Sequence, residues 1–204
     1  MNFAPFAVTW DYRCPFARNA NEHLIVGLQD GADWQVTFMP FFLDQAHVEA
    51  GEEPVWHEPE HAPALLALQA GVVVRERLKD HFLDVHAALF AARHDKGEDV
   101  REKDVVRKAL RTAGLSEAEA ESVFEEMAEG WPLELVRHEH EQAVSQHQVF
   151  GVPTFVSGER AAFVRLMRRP AGDAALARAT IERVLRTLVD ETELNEFKRT
   201  RVER

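Results

Sequence analysis

Cysteine occurs once in this chain of 204 residues, in the run Asp11-Tyr12-Arg13-Cys14-Pro15-Phe16-Ala17. A lone thiol cannot close an intrachain disulfide. Cys14 is therefore either a buried small hydrophobe or a reactive group whose disulfide partner is another molecule. The residue after it decides where it stands: proline is favoured at the first helical position, where its missing amide hydrogen would have had no partner, so Cys14 falls at the N-cap. There the first-turn amides and the positive end of the helix dipole favour a thiolate. Such a setting can depress a cysteine pKa from about 8.5 into the range of roughly 3.5–7.5. Arg13 and Arg18 would add positive potential, and Asp11 would oppose it if its carboxylate faced the sulfur.

Other spacings suggest chemistry and carry less. His57-Glu58-Pro59-Glu60-His61 fits the HExxH pattern, in which two imidazoles one helical turn apart hold zinc beside a glutamate base. Pro59 lies between the histidines, with Pro54 and Pro63 flanking them. An interior proline costs a helix about 3 kcal/mol, so the geometry fails and no metal site is expected. His138, His140 and His147 lie on one expected helix without a convergent third ligand and read as solvated or capping residues. His81 and His86 flank an apolar stripe as boundary residues. Met39, Met127, Met167 and the strand residue Trp34 read as packing. Trp131 follows a glycine cap, and Trp56 lies in a loop that could border a Cys14 cleft. Arg168 and Arg169, placed directly after the last strand, read as an exposed pair, although they could hold a carboxylate.

The elements that must position Cys14 follow from periodicity. Phe6, Val8 and Trp10 alternate with small residues as a strand. Phe16, Ala20, Leu24 and Leu28 recur at helical spacing up to the Asp30-Gly31 turn, and a second strand carries Trp34, Val36 and Phe38. This βαβ unit makes the strands parallel and sets the start of the first helix at the carboxyl edge of the sheet. Residues 41–63 read as a loop rich in Glu, His and Pro. Only helical signals follow: Leu65 to Leu78, a segment with Phe82, Val85, Leu89 and Phe90, one with Val105, Val106 and Leu110 closed at Gly114, one opened by a Ser116/Glu119 capping box, and Leu133 to His147. Gly151 to Gly158 and Ala161 to Met167 read as a hairpin, and Leu176 to Leu188 as a closing amphipathic helix. The expected fold class is α/β, thioredoxin-like in its order βαβ, helices, ββα. Residues 1–60 and 148–204 would form the thioredoxin-like domain and 61–147 an inserted all-helical domain.

Composition bounds the alternatives. With 46% hydrophobic and 29% charged residues the chain reads as an ordinary globular protein. No apolar run approaches the roughly 20 residues of a membrane span. A net charge of −11 argues against nucleic acid as a partner, because phosphate contact needs clustered cations. The basic tail Lys198 to Arg204 reads as a solvated helix end. Met1 to Val8 lacks the basic start and small-residue cleavage site of a secretory signal, so the expected location is cytoplasmic. A homodimer stays open.

The element order, Cys-Pro at the first helix and Val152-Pro153-Thr154 near the end together resemble the DsbA-like branch of the thioredoxin superfamily. Residues 11–17 resemble its active-site loop, 62–147 its inserted helical domain and Gly151 to Thr154 its cis-proline loop. Leu194 to Thr200 is similar to tails of actinobacterial members, including mycothiol-dependent reductases. The resemblance implies an oxidoreductase with Cys14 as nucleophile, and Arg13, Pro15, Phe16, Val152 and Pro153 around the substrate. It implies a cis peptide bond before Pro153, leaving the backbone of Val152 to pair with an extended substrate. It further implies a groove between the Cys14 loop and the helices of Leu65 to Phe90. One departure is decisive. Disulfide-exchanging members carry Cys-x-x-Cys, and here Ala17 holds the last position, so a second thiol must come from solution. A low-molecular-weight thiol of the mycothiol or glutathione type is the implied co-substrate, with no tightly bound cofactor. The other readings are a degenerate thioredoxin fold that binds a ligand or partner without turnover, and a thiol-dependent isomerase or transferase.

Overall fold

Alternating large and small side chains at the N-terminus make β1 (Phe6–Trp10) a strand whose Phe6, Val8 and Trp10 are all buried. The computed structural model describes residues 3–49 and 51–199. Pro15 opens α1 (Pro15–Gln29), which ends at the turn where Gly31 takes a φ of +82°. The crossover returns as β2 (Val36–Pro40), parallel to β1 with Phe6 opposite Val36 and Trp10 opposite Pro40. Trp34 lies two residues before β2 rather than in it. Its ring lies against Gly27, where an added Cβ would sit 2.4 Å from a ring carbon, so only glycine lets the indole this close to α1.

Residues 41–63, expected as loop, contain a short α2 (Leu43–Ala46) and a 3-10 turn, Val55–His57. Five helices follow: α3 (Ala62–Arg77), α4 (Phe82–His94), α5 (Lys103–Thr112), α6 (Glu117–Ala128) and α7 (Trp131–His147). Nine residues of α3 between Ala64 and Val74 are buried, so this helix is the core element around which α4, α6 and α7 pack. Local signals set the ends: Gly114 takes φ +97°, and Ser116 and Glu119 form a reciprocal capping box. No helix among the described residues is long and apolar enough to cross a membrane.

The chain then returns to the sheet. β3 (Thr154–Ser157) runs antiparallel to β1, with Val8 opposite Phe155, and β4 (Arg160–Phe163) pairs with β3, giving the order β2-β1-β3-β4. β4 stops at Phe163, four residues before the expected Met167, which is 52% exposed instead of packed. The segment after β4 is tied to α1: Asn19 Nδ2 donates to Leu166 O (2.8 Å) and His23 Nε2 to Arg168 O (3.1 Å). α8 (Ala174–Asp190) packs beside α1 against the sheet. This is a thioredoxin-like fold with a mixed sheet and helices between its halves. Leu194 and Phe197 of the tail are exposed. Residues 200–204 of the basic tail lie outside the described residues.

Candidate active site

Cys14 is the N-cap of α1: its backbone is extended (φ −89°, ψ 119°), and its Sγ accepts from the Ala17 amide at 3.4 Å. The side chain is partly exposed. Across from it, the Val152–Pro153 peptide bond is cis, and the Cys14 S–H donates to the Val152 carbonyl at 3.4 Å. Two strands fix this facing loop. Thr9 on β1 accepts from the Thr154 amide (2.8 Å), and Val164, just past β4, donates its amide to Pro153 O (3.0 Å). The sulfur thus lies where the start of α1, packed beside β1, meets the loop entering β3. Ala17, the position of a resolving cysteine in Cys-x-x-Cys, is fully buried and offers no thiol.

Asp11 holds the active loop from beneath. Buried to 1% exposure, it accepts from the Arg13 amide (2.8 Å), from Arg13 Nη2 (3.1 Å) and from the Leu43 amide (3.1 Å), and its own carbonyl takes the Cys14 amide. Arg13 continues to Asp44 at 2.7 Å and lies over the Phe42 ring. Its guanidinium is therefore committed to the loop's own framework. Arg18 is likewise engaged, bonded to Asp95 and Glu22. The arginine whose charge lowers the Cys14 pKa is Arg165, over the ring of Phe16, and sequence reasoning missed it. Its position two residues past the end of β4 carried no signal in the chain.

These placements reverse one expectation. Burial pushes the Cys14 thiol up from its ordinary pKa; the amides of Ala17 and Phe16 pull it down, Asp11 pushes it up, and Arg165 pulls it down. Desolvation outweighs the helix terminus because the sulfur is enclosed between two loops, and the hydrogen bond to Val152 further favours the protonated form.

Behind the loop runs a buried polar chain. Tyr12 Oη donates to His86 Nδ1 (2.8 Å), His86 Nε2 donates to Asn21 Oδ1 (3.0 Å), and Asn21 Nδ2 donates to Ala17 O (2.8 Å). His86 is no boundary residue: it is fully buried among Trp10, Phe38, Phe82 and Phe90, and burial followed by the charge of Arg75 lowers its pKa to about 3. His140, expected as solvated or capping, is also buried. It stacks on Phe41, accepts the Phe42 amide at Nδ1 (3.2 Å), and is pushed down to about 4 by burial. Trp56 packs against Phe42 and His140 rather than bordering a cleft. Trp131 is half-buried, its indole donating to Glu126.

The HExxH run does not form one helix. His57 ends the 3-10 turn and His61 caps α3, so the two histidines lie on different elements. Ligand atoms of Glu58, Glu60 and His61 do lie within 4.8 Å of one another, with Asp44 bonded to His61 Nδ1 (3.0 Å). Glu60 is largely exposed, and the group is an acidic surface turn. Arg168 and Arg169 lie five residues beyond β4; Arg169 pairs with Glu22 (2.6 Å) and Asp95.

Structures of other proteins share this architecture. The cytosolic disulfide reductase DsbM from Pseudomonas aeruginosa, solved with GSH, superposes with a TM-score of 0.61 at 19% identity, over 89% of this chain and 99% of its own. MdbA, a thiol-disulfide oxidoreductase from Actinomyces oris, gives 0.62 at 15% identity over 86% and 80%. Pseudomonas aeruginosa DsbA gives 0.53 at 20% identity over 88% and 83%. At these identities the likeness is one of fold. No curated protein matches in sequence. The family of the DSBA-like thioredoxin domain matches residues 8–167, a span that takes in both the Cys14 turn and the Val152–Pro153 loop, and the chain belongs to that family.

Proposed function

We propose that this protein is a thiol-disulfide oxidoreductase that works through the single nucleophile Cys14 with a low-molecular-weight thiol, of the glutathione or mycothiol type, as co-substrate. One observation carries the reading: the only thiol of the chain caps α1 and contacts the loop of the cis Val152–Pro153 bond at 3.4 Å. Family membership supports it, as does the fold shared with a cytosolic disulfide reductase solved with GSH.

The chemistry balances without a second cysteine. Cys14 loses its proton to solvent and attacks a disulfide RSSR; the new bond joins Sγ to one sulfur, and the electron pair of the broken S–S bond leaves with the other as RS⁻. A thiol from solution then attacks the mixed disulfide and releases Cys14. The amides of Phe16 and Ala17 face the charge that forms in the first step. The walls of the site are Pro15, Phe16, Val152 and Pro153, with Arg13 bracing the loop. The groove runs toward the helices of Leu65 to Phe90, the inserted domain being 61–147 against 1–60 and 148–204. The cytosolic neighbour favours a cytoplasmic setting for this reaction.

A second reading, binding without turnover, is favoured by the raised pKa of Cys14 and its hydrogen bond to Val152. Intact mass after incubation with glutathione disulfide separates the two. The oxidoreductase gains one glutathione at Cys14, loses it on adding a free thiol, and gains none as the Cys14→Ala variant. A wild-type protein that stays unmodified under these conditions is a binding domain.

A further inference from the structure

Beside Cys14 the arginines divide into two kinds. Arg13, Arg18 and Arg169 are each neutralised by carboxylates, on Asp11 and Asp44, on Asp95 and Glu22, and on Glu22 and Asp95. Arg165 is exposed, and its guanidinium lies over two aromatic rings instead, 5.1 Å from the centre of Phe16 and 5.2 Å from that of Phe163. No carboxylate among the described residues pairs with it. Stacking occupies the faces of a guanidinium and leaves its edge, where the N–H donors lie, open to a carboxylate.

The backbone on both sides of Arg165 is pinned to the site. Val164 donates to Pro153 O and Leu166 accepts from Asn19 on α1, so Arg165 spans the gap between the cis-proline loop and the helix that Cys14 caps. Phe16 is the second residue of that helix. Phe163 in turn contacts Phe150, which is 71% exposed, and the row Phe16, Arg165, Phe163, Phe150 makes a shelf of two half-buried rings and one exposed ring with one oriented cation. A chain of net charge −11 otherwise repels small anions, so a cation with no carboxylate partner among the described residues changes which of them reach the sulfur.

We infer that Arg165 is a specificity-determining residue that binds a carboxylate of the co-substrate and so selects carboxylate-bearing small thiols and disulfides over neutral or cationic ones. This rests on the single-thiol reading above and chooses within it: a glutathione-type thiol carries carboxylates to place on the shelf, and a neutral sugar-based thiol does not.

The test compares rates of mixed-disulfide formation at Cys14 with three disulfides: bis(nitrobenzoate) disulfide, which is anionic, dipyridyl disulfide, which is neutral, and cystamine, which is cationic. In wild-type protein the anionic reagent is favoured relative to the neutral one, and added salt compresses the ratio. Arg165→Gln lowers the anionic-to-neutral ratio about two- to fivefold, the range of a partly exposed ion pair, and raises the cationic-to-neutral ratio. Arg165→Lys retains more of the preference than Arg165→Gln. Arg183→Gln, which removes the same charge from the exposed side of α8, leaves both ratios unchanged. Arg165→Gln slowing all three reagents equally would overturn the inference, because the arginine would then act only on ionisation of the thiol. An unchanged ratio would overturn it too. A wild-type protein inert even to the neutral reagent is a different failure: it removes the single-thiol reading, and the assignment of Arg165 with it.

Discussion

Two short segments of this chain are dense in groups that could do chemistry, and they differ in depth. Residues 57–61 display a recognised metal spacing, yet proline interrupts them, they straddle two elements, and their carboxylates face solvent. Residues 11–17 display one cysteine and no complete motif, yet they stand on a buried carboxylate, a buried tyrosine and a histidine 69 positions after Ala17 in the chain. A spacing carries chemistry only if one rigid element presents it. The second segment has that support, because Asp11 is bonded to Leu43, Tyr12 to His86, and Ala17 is linked to His86 through Asn21.

The contrast can be broken most directly at Asp11. Asp11→Ala removes the acceptor of the Arg13 amide, its guanidinium and the Leu43 amide, and should cost about 3–5 kcal/mol in urea unfolding, as expected when one partner of a largely buried pair is lost. A loss under 1 kcal/mol would place the loop's support elsewhere. The buried imidazoles give the next effect. His86 and His140 have folded pKa values of about 3 and 4 against about 6.5 when unfolded. Below pH 6.5 the unfolded chain takes up protons that the folded chain refuses, so this contribution to stability is present above that pH and is lost as pH falls. Between pH 7 and pH 5 the two together should remove about 3–4 kcal/mol. A flat profile over that interval would contradict their burial as neutral rings.

Gly71 tests how closely α3 presses on the same region. An added Cβ there would lie 2.5 Å from Tyr12 Oη and 2.8 Å from a Trp10 ring carbon, so Gly71→Ala should destabilise by about 1–3 kcal/mol and loosen the Tyr12–His86 bond, visible as a change in tyrosine fluorescence or the Tyr12 ring resonances. Smallest of all is the other segment. Glu58→Ala and Glu60→Ala should each stay within about 0.5 kcal/mol, as surface changes do. Alkylation of Cys14 by iodoacetamide sharpens the comparison from the reactive side. Its inflection should fall above the ordinary thiol value, and Asp11→Asn should bring it down by removing a negative charge that opposes the thiolate.

Local rules were enough where a local rule governs. Pro15 after Cys14 set the N-cap, alternation at Phe6 to Trp10 set β1, Ser116 with Glu119 set the start of α6, and Gly114 set the end of α5. They failed where burial depended on distant chain. His86 and His140 looked like boundary and solvated residues because a helix face does not say what will pack on it. Trp56 and Met167 were misplaced for the same reason, one sealed under Phe42 and the other left outside when β4 ended early.

The sequence by itself determined that there is one thiol, that it begins a helix, and that no resolving thiol follows it at Ala17; each is a matter of composition or of nearest neighbours along the chain. Only the tertiary structure decided the state of that thiol. Its proton is held by Val152, its burial exceeds the pull of the helix amides, Arg13 and Arg18 are neutralised by Asp11, Asp44 and Asp95, and the arginine whose charge lowers its pKa is Arg165, two residues past the end of β4. Desolvation and charge pairing act through space, and no spacing along the chain encodes them.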